Sequence, residues 1–281
     1  MRDDNGIKNK LKMAYQGEES MNYMNDLERV KSQYEKPDNL DIRMLLHTRY
    51  SINQQPFADW IFEQYQLYQG CHIFELGCGN GDLWKEHITN LGKDTKLILS
   101  DFSEGMVKQV KERYQGHPNV TFEQINIEEL PYPEATFDIV IANMMLYHVP
   151  DLEKALSEAA RVLKPGGTFY AATVGENGIY QYLEAAINDA GFCWNQTQSF
   201  TLQNGEARLR EYFNQIEMRE RIDRLEVTDT NDLLDYIYSM KDIMQVEEQD
   251  RLRLYEVFEN KKDNMGIIHI PKEYGMFVAK K

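Results

Sequence analysis

The sequence predicts an α/β protein: a doubly wound, mostly parallel sheet of seven strands, with an N-terminal helical cap and a helical insertion before the last strand. Three observations carry this. From Cys71 onward, short apolar runs of strand length alternate with stretches of helical period. The first run passes directly into a glycine-rich turn, Gly77-Cys78-Gly79-Asn80-Gly81, with amphipathic sequence following at once. Pro165-Gly166-Gly167 then stops the third helical stretch just ahead of the fifth run.

Taken in order, residues 1 to about 40 are polar and without apolar period, with Tyr15, Tyr23 and Tyr34 spread through them and a break at Pro37. Residues 40–50 and 56–68 read as helices; Phe57, Trp60, Ile61, Gln64 and Tyr65 share a face, and Gly70 ends the second. Strands are expected at 73–76, 96–100, 121–126, 137–142 and 168–174. Helices between them start at Asp82, Ser103 and Asp151, each a suitable N-cap. A helix at 179–190 follows the fifth strand, and two further strands fall at 216–225 and 274–279. Between these lie helical stretches at 231–240 and 247–261. The chain thus divides into a cap segment, 1–69, and a core, 70–281, whose insertion spans 229–265.

Composition narrows the function. The chain of 281 residues carries a net charge of −15, the opposite of the basic surface by which nucleic-acid binders release counterions. Neither nucleic acid nor an anionic membrane is an expected partner. No apolar stretch is long enough to span a bilayer and no secretory leader is visible at the N-terminus, so a cytoplasmic location is expected. Cys71, Cys78 and Cys193 form neither a disulfide framework nor a zinc pattern, and His47, His72, His87, His117 and His269 lack metal-ligand spacing.

The chemistry centres on residues 73–81. Glycine lets the backbone bend sharply and lets a ligand approach without a Cβ in the way. The second strand ends in Asp101, about 20 residues on, where doubly wound folds place a carboxylate for ribose hydroxyls. Asp101 would equally serve as the cap of the next helix. Phe102 is placed to lie on an adenine face. The third glycine of a dinucleotide loop is absent, and Asp82 and Glu75 add negative charge where a pyrophosphate would sit. The site therefore suits a cationic adenosine ligand without phosphate.

At this point the sequence resembles the class I S-adenosylmethionine-dependent methyltransferases, a Rossmann-like family. Glu75-Leu76-Gly77-Cys78-Gly79-Asn80-Gly81 resembles their first motif, and Asp101 their ribose-binding acid. Asn126-Ile127 resembles the adenine-contacting corner, and Phe137-Asp138-Ile139-Val140 with Asn143 and Leu146-Tyr147-His148 the fourth-strand segment. Arg161-Val162-Leu163-Lys164-Pro165-Gly166-Gly167 resembles the turn before the fifth strand. The likeness runs from about residue 71 to 175.

The resemblance implies that S-adenosylmethionine is the cofactor. Gly77 and Gly79 would pass its methionine part and Glu75 would stand near its amino group. Asp101 would bind the ribose, Phe102 and Met106 would flank the adenine, and Asn126 with Ile127 would meet its edge. Asn143 would border the sulfonium, and Arg49 or Tyr50 would reach the carboxylate. Met106 also fits the apolar core face of its helix. His148 is the candidate catalytic base, or else a residue that holds the loop. The expected activity is methyl transfer to a small-molecule acceptor. The alternatives are a methyltransferase acting on protein or nucleic acid, a nicotinamide-dependent oxidoreductase, and a non-catalytic cofactor-binding partner protein. Asn143-Met144-Met145-Leu146 lacks the Asn/Asp-Pro-Pro-aromatic motif of base-amine methylation, and the first motif is intact.

Overall fold

A computed structural model describes residues 25, 26, 29, 37–192, 194 and 197–281. Tyr15, Tyr23, Tyr34 and Cys193 lie outside the described residues. Helices α1 (Pro37–Tyr50) and α2 (Phe57–Gln64) precede strand β1 (His72–Leu76). Then follow β2 (Lys96–Asp101), α3 (Glu104–Tyr114), β3 (Val120–Gln124), β4 (Phe137–Ile141), α4 (Leu152–Val162), β5 (Leu163–Val174) and α5 (Ile179–Asp189). The chain closes with α6 (Gly205–Leu209), β6 (Gln215–Val227), α7 (Thr230–Tyr238), α8 (Lys241–Met244), α9 (Arg251–Glu259) and β7 (Ile268–Lys280).

The seven strands form one sheet in the order β3-β2-β1-β4-β5-β7-β6. Strands β1 to β5 pair in parallel; β7 runs antiparallel to both β5 and β6. The order in which strands are added reverses between β1 and β4, and such a switch point opens a crevice at the carboxyl ends of the strands. Both faces are covered, so the inner strands are apolar along their length. Alternate residues part to opposite sides. Ile73, Leu97 and Ile139 pack with Trp60, Ile61, Trp84 and Val110. Phe74, Leu76, Val140 and Phe169 pack with Leu156 and Ala159 of α4. A third core, under the long antiparallel β6–β7 pair, joins Leu46 of α1 to Leu183, Leu233 and Phe258.

Ser103 and Asp151 cap α3 and α4 as expected, accepting from Met106 N (3.4 Å) and Lys154 N (3.0 Å). Three local expectations need correction. The stretch after Asp82 is not an α-helix. It is two short 3-10 turns, Asp82–Trp84 and Ile88–Asn90, and Asp82 makes no cap bond because Gly81 holds that place. Trp84 and Ile88 are buried, so the apolar spacing still buries one side; but Trp84 drops inward to donate its indole N–H to Glu75, and tighter i→i+3 bonds follow that path. Helix α2 ends at Gln64 rather than near Gly70, because Tyr65 goes extended and its hydroxyl meets Asn143. Pro165-Gly166-Gly167 lies within the span of β5: Phe137 pairs with Leu163 but Ile139 with Thr168, so the tripeptide bulges out of the ladder instead of separating helix from strand.

Candidate active site

A cleft of about 250 Å³ opens over the carboxyl ends of β1, β2 and β4, at the switch point. Its floor is the bend Gly77-Cys78-Gly79-Asn80. Gly77, Gly79 and Gly81 take φ of +67°, +55° and +75°, which L side chains rarely adopt. Each glycine answers a different demand. A Cβ at Gly77 would lie 2.8 Å from Met145, and one at Gly81 would lie 2.5 Å from Val110. At Gly79 a Cβ would stand 3.5 Å from Leu40, across the mouth of the cleft. The bend hangs from the sheet by Cys78 N donating to Ser100 O (2.9 Å), while Ser100 Oγ donates to Glu75 O (2.8 Å).

Asp101 ties the bend to the second strand. Its Oδ2 accepts from Gly79 N (2.9 Å) and its Oδ1 from Ser103 N (2.8 Å). The helix cap is Ser103, so Asp101 is not the cap. Two acceptor sites are used, and a carboxylate offers about four. Burial pushes its pKa up, opposed by the backbone N–H groups of Ser103, Gly79 and Phe102. Glu75 lies deeper. It is 2% exposed, with its carboxylate against the Trp84 indole; burial pushes its pKa up to about 7, and nearby Asp101 adds to that. Two acids thus stand under one bend in a poorly solvated place, where a positive ligand would favour their charged forms.

Eight of the sequence-derived site residues line the cleft: Gly77, Gly79, Asp101, Phe102, Asn126, Ile127, Asn143 and His148. Glu75 does not reach its surface, and Met106 is wholly buried on the inner face of α3 rather than against the cleft. Asn126 Oδ1 accepts from Glu128 N (3.0 Å), which fixes the corner after β3. The Asn143 amide is held on both sides: Oδ1 accepts from Ala172 N (3.1 Å) and Nδ2 donates to Tyr65 Oη (2.6 Å). His148 is 9% exposed and its ring lies 4.5 Å from that of Tyr147.

One further expectation fails and another is modified. Arg49 and Tyr50 both bond Asp232 of α7 and take no part in lining the cleft, because they point off the far end of α1. Asp82 does line the cleft, but it pairs with Arg113 at 3.0 Å, so its repulsion of a phosphate is partly compensated.

Leu40 and Met44 of α1 close one side of the cleft, with Leu83, Met144 and Met145. Their contacts cross long stretches of sequence, and neither local period nor motif marks them. The 229–265 insertion gives no residue to the cleft lining; its α7 packs against α1 from behind. Cys71 and Cys78 are free and buried, and burial raises both thiols, Cys78 well above the ordinary range. Among the described residues no acidic, histidine or cysteine group has the arrangement of a metal site, and no helix is long and apolar enough to cross a membrane.

Residues 74–171 match the family model described as a methyltransferase domain. The segment is thus similar to methyltransferase domains, and its strand order, with the bend at the switch point, is the Rossmann-like arrangement shared with solved structures. The chain is similar to the ubiquinone/menaquinone biosynthesis C-methyltransferase UbiE of Cronobacter sakazakii, 37% identical over 102 residues, which are 35% of this chain and 41% of that one. It is likewise similar to the demethylmenaquinone methyltransferase of Symbiobacterium thermophilum, 38% identical over 103 residues, or 36% and 41% of the two chains. The chain therefore spans about two fifths of the length of these curated relatives.

Solved structures share the fold at low identity. The YcgJ protein of Bacillus subtilis superposes with a TM-score of 0.59 at 18% identity, covering 80% of this chain and 97% of the other. A Haemonchus contortus phosphoethanolamine N-methyltransferase, solved with phosphomonomethylethanolamine and S-adenosylhomocysteine, gives 0.57 at 16% identity, covering 92% and 60%.

Proposed function

We propose that this chain transfers a methyl group from S-adenosylmethionine to a small-molecule acceptor by in-line displacement. The observation that carries this reading is the bare-backbone bend at Gly77–Gly79, pinned to Asp101 by the Gly79 N–H and underlain by Glu75. The fit of the cofactor to these residues rests on their chemistry: a floor bare of Cβ atoms at Gly77 and Gly79, the buried Glu75 and partly buried Asp101 carboxylates for a positive ligand, and an apolar corner at Phe102 and Ile127 for a base. The names of the two curated relatives, one a ubiquinone/menaquinone biosynthesis C-methyltransferase and the other a demethylmenaquinone methyltransferase, favour a small acceptor.

In this reading Asp101 holds the ribose hydroxyls with its remaining lone pairs, and Phe102, Asn126 and Ile127 hold the adenine. Gly77 and Gly79 admit the methionine part, and Glu75 supplies negative charge toward its amine from beneath. Asn143 borders the sulfonium from a fixed position. The cofactor, when bound, supplies an already activated methyl group. The task of the chain is then alignment and exclusion of water. Correct orientation contributes about 7–11 kcal/mol to such reactions, against roughly 3–5 kcal/mol from a general base. Leu40 and Met44 keep water from one side of the cleft. His148, at the acceptor end, takes the proton that the acceptor must lose.

The test is a melting experiment with S-adenosylhomocysteine and with NAD. At about 100 times its dissociation constant a ligand stabilises by about 2.7 kcal/mol, which should raise Tm by roughly 5–10 °C. S-adenosylhomocysteine should give this shift and NAD none; a shift with NAD alone would favour the oxidoreductase instead.

A further inference from the structure

Behind the cleft, the side chains of α1, β6 and β7 form a buried polar cluster that the methyl-transfer reading has not used. Leu40 and Met44 of α1 line the cleft, and His47 continues that helix face one turn on, since residues spaced by three and four stack. The His47 ring meets Tyr236 edge-on at 5.7 Å and Tyr274 at 5.8 Å. Its Nε2 is hydrogen-bonded to the Tyr274 hydroxyl at 3.2 Å, while its Nδ1 is out of contact with solvent and has no hydrogen-bond partner among the described residues. Burial, with Lys272 and Arg221 nearby, pushes the imidazole pKa down to about 3, so the ring is neutral.

The charges around it are unequal. Lys272 and Arg221 both bond the carboxylate of Asp223, at 2.7 and 2.6 Å, and all three are buried. Two cations thus share one anion, and Arg221 Nε is a second buried donor without a partner among the described residues. The aromatic faces in reach are already taken by cations: Lys272 Nζ stands 5.0 Å over Tyr274 and the Arg221 guanidinium 5.8 Å over Phe57. Burial raises the Tyr236 and Tyr274 phenols, so both stay protonated; when Tyr274 Oη donates to His47 Nε2, the one proton of the neutral imidazole lies on Nδ1, which is then the free donor. A further cation would meet uncompensated positive charge here, whereas an anionic oxygen would meet donors and a compensating field.

Met144 is the partition. It lines the cleft on one side and packs on the other against the group of Tyr147, Val174, Ile243 and Tyr274. It is unbranched and adaptable, and it sits at φ +54° in a turn. We propose that the acceptor end of the cleft extends past Met144 to His47, Tyr236 and Tyr274, and that it takes an acceptor bearing a carboxylate-type anionic oxygen. This rests on the methyl-transfer reading and names the class of its acceptor.

The test is calorimetry on the full chain saturated with S-adenosylhomocysteine, using benzoate, benzamide and benzylamine as probes of matched shape. Charge-assisted hydrogen bonds predict benzoate binding about tenfold or more tighter than benzamide, with benzylamine weakest. His47→Phe and Tyr274→Phe should each weaken benzoate about fivefold or more while leaving S-adenosylhomocysteine affinity within about twofold, which also shows that the variants fold. Benzamide or benzylamine binding as tightly as benzoate, benzoate indifferent to both substitutions, or no binding of any probe would each overturn the proposal. Binding of S-adenosylhomocysteine to the unmodified chain is read separately, and its failure would strike the methyl-transfer reading itself.

Discussion

Glu75→Gln isolates what the buried acid costs the fold. Glu75 is 2% exposed, and burial moves its pKa from an ordinary 4.5 to about 7. An acid raised on folding binds more protons folded than unfolded between those two values. Its contribution is therefore intact below about pH 4.5, declines as pH rises, and is fully lost above about pH 7. At about 1.4 kcal/mol per pH unit, the loss comes to about 3 kcal/mol. Glutamine keeps a carbonyl oxygen for the Trp84 indole and removes the titration. The variant should match the parent near pH 4.5 and exceed it by about 3 kcal/mol near pH 8. Urea unfolding followed by tryptophan fluorescence across that range gives both numbers, provided the m-value is unchanged. A stability difference that does not vary with pH, or a variant weaker at pH 8, would refute the reasoning. A residue that costs this much stability should serve a ligand, so the same variant should also bind S-adenosylhomocysteine more weakly.

Asp101→Ala should weaken S-adenosylhomocysteine roughly 10–100-fold by calorimetry, the scale of charged hydrogen bonds, in a chain that still folds; unchanged affinity would remove it from the ribose role. Gly81→Ala meets left-handed strain (φ +75°) and a Cβ 2.5 Å from Val110. The expected cost is about 2–4 kcal/mol in urea unfolding, and a loss below about 1 kcal/mol would contradict the packing described. His148→Ala should lower kcat about 10²–10⁴-fold once a substrate is in hand, with S-adenosylhomocysteine affinity unchanged; an unaltered kcat would exclude proton transfer by His148.

The sheet was legible because its inner strands are apolar throughout and its turns carry glycine, and both are local signals. The caps of α3 and α4 were legible for the same reason, since Ser103 and Asp151 act within three residues of themselves. The stretch after Asp82 was not. Its apolar spacing correctly foretold that Trp84 and Ile88 are buried, but a distant partner, Glu75, set the backbone path. Arg49 and Tyr50 were misread because Asp232, their partner, lies far along the chain. Leu40 and Met44 carry no motif, and only the docking of α1 over the bend makes them part of the cleft. The double role of Asp101 was narrowed by a neighbour: Ser103 caps the helix, leaving the carboxylate to face Gly79.

A crystal structure of the chain with S-adenosylhomocysteine tests the assignment most directly. The ribose hydroxyls should lie about 2.5–3.2 Å from the Asp101 carboxylate, with the adenine beside Phe102 and Ile127. A nucleoside bound elsewhere, or an Asp101 carboxylate turned away from the sugar, would contradict it.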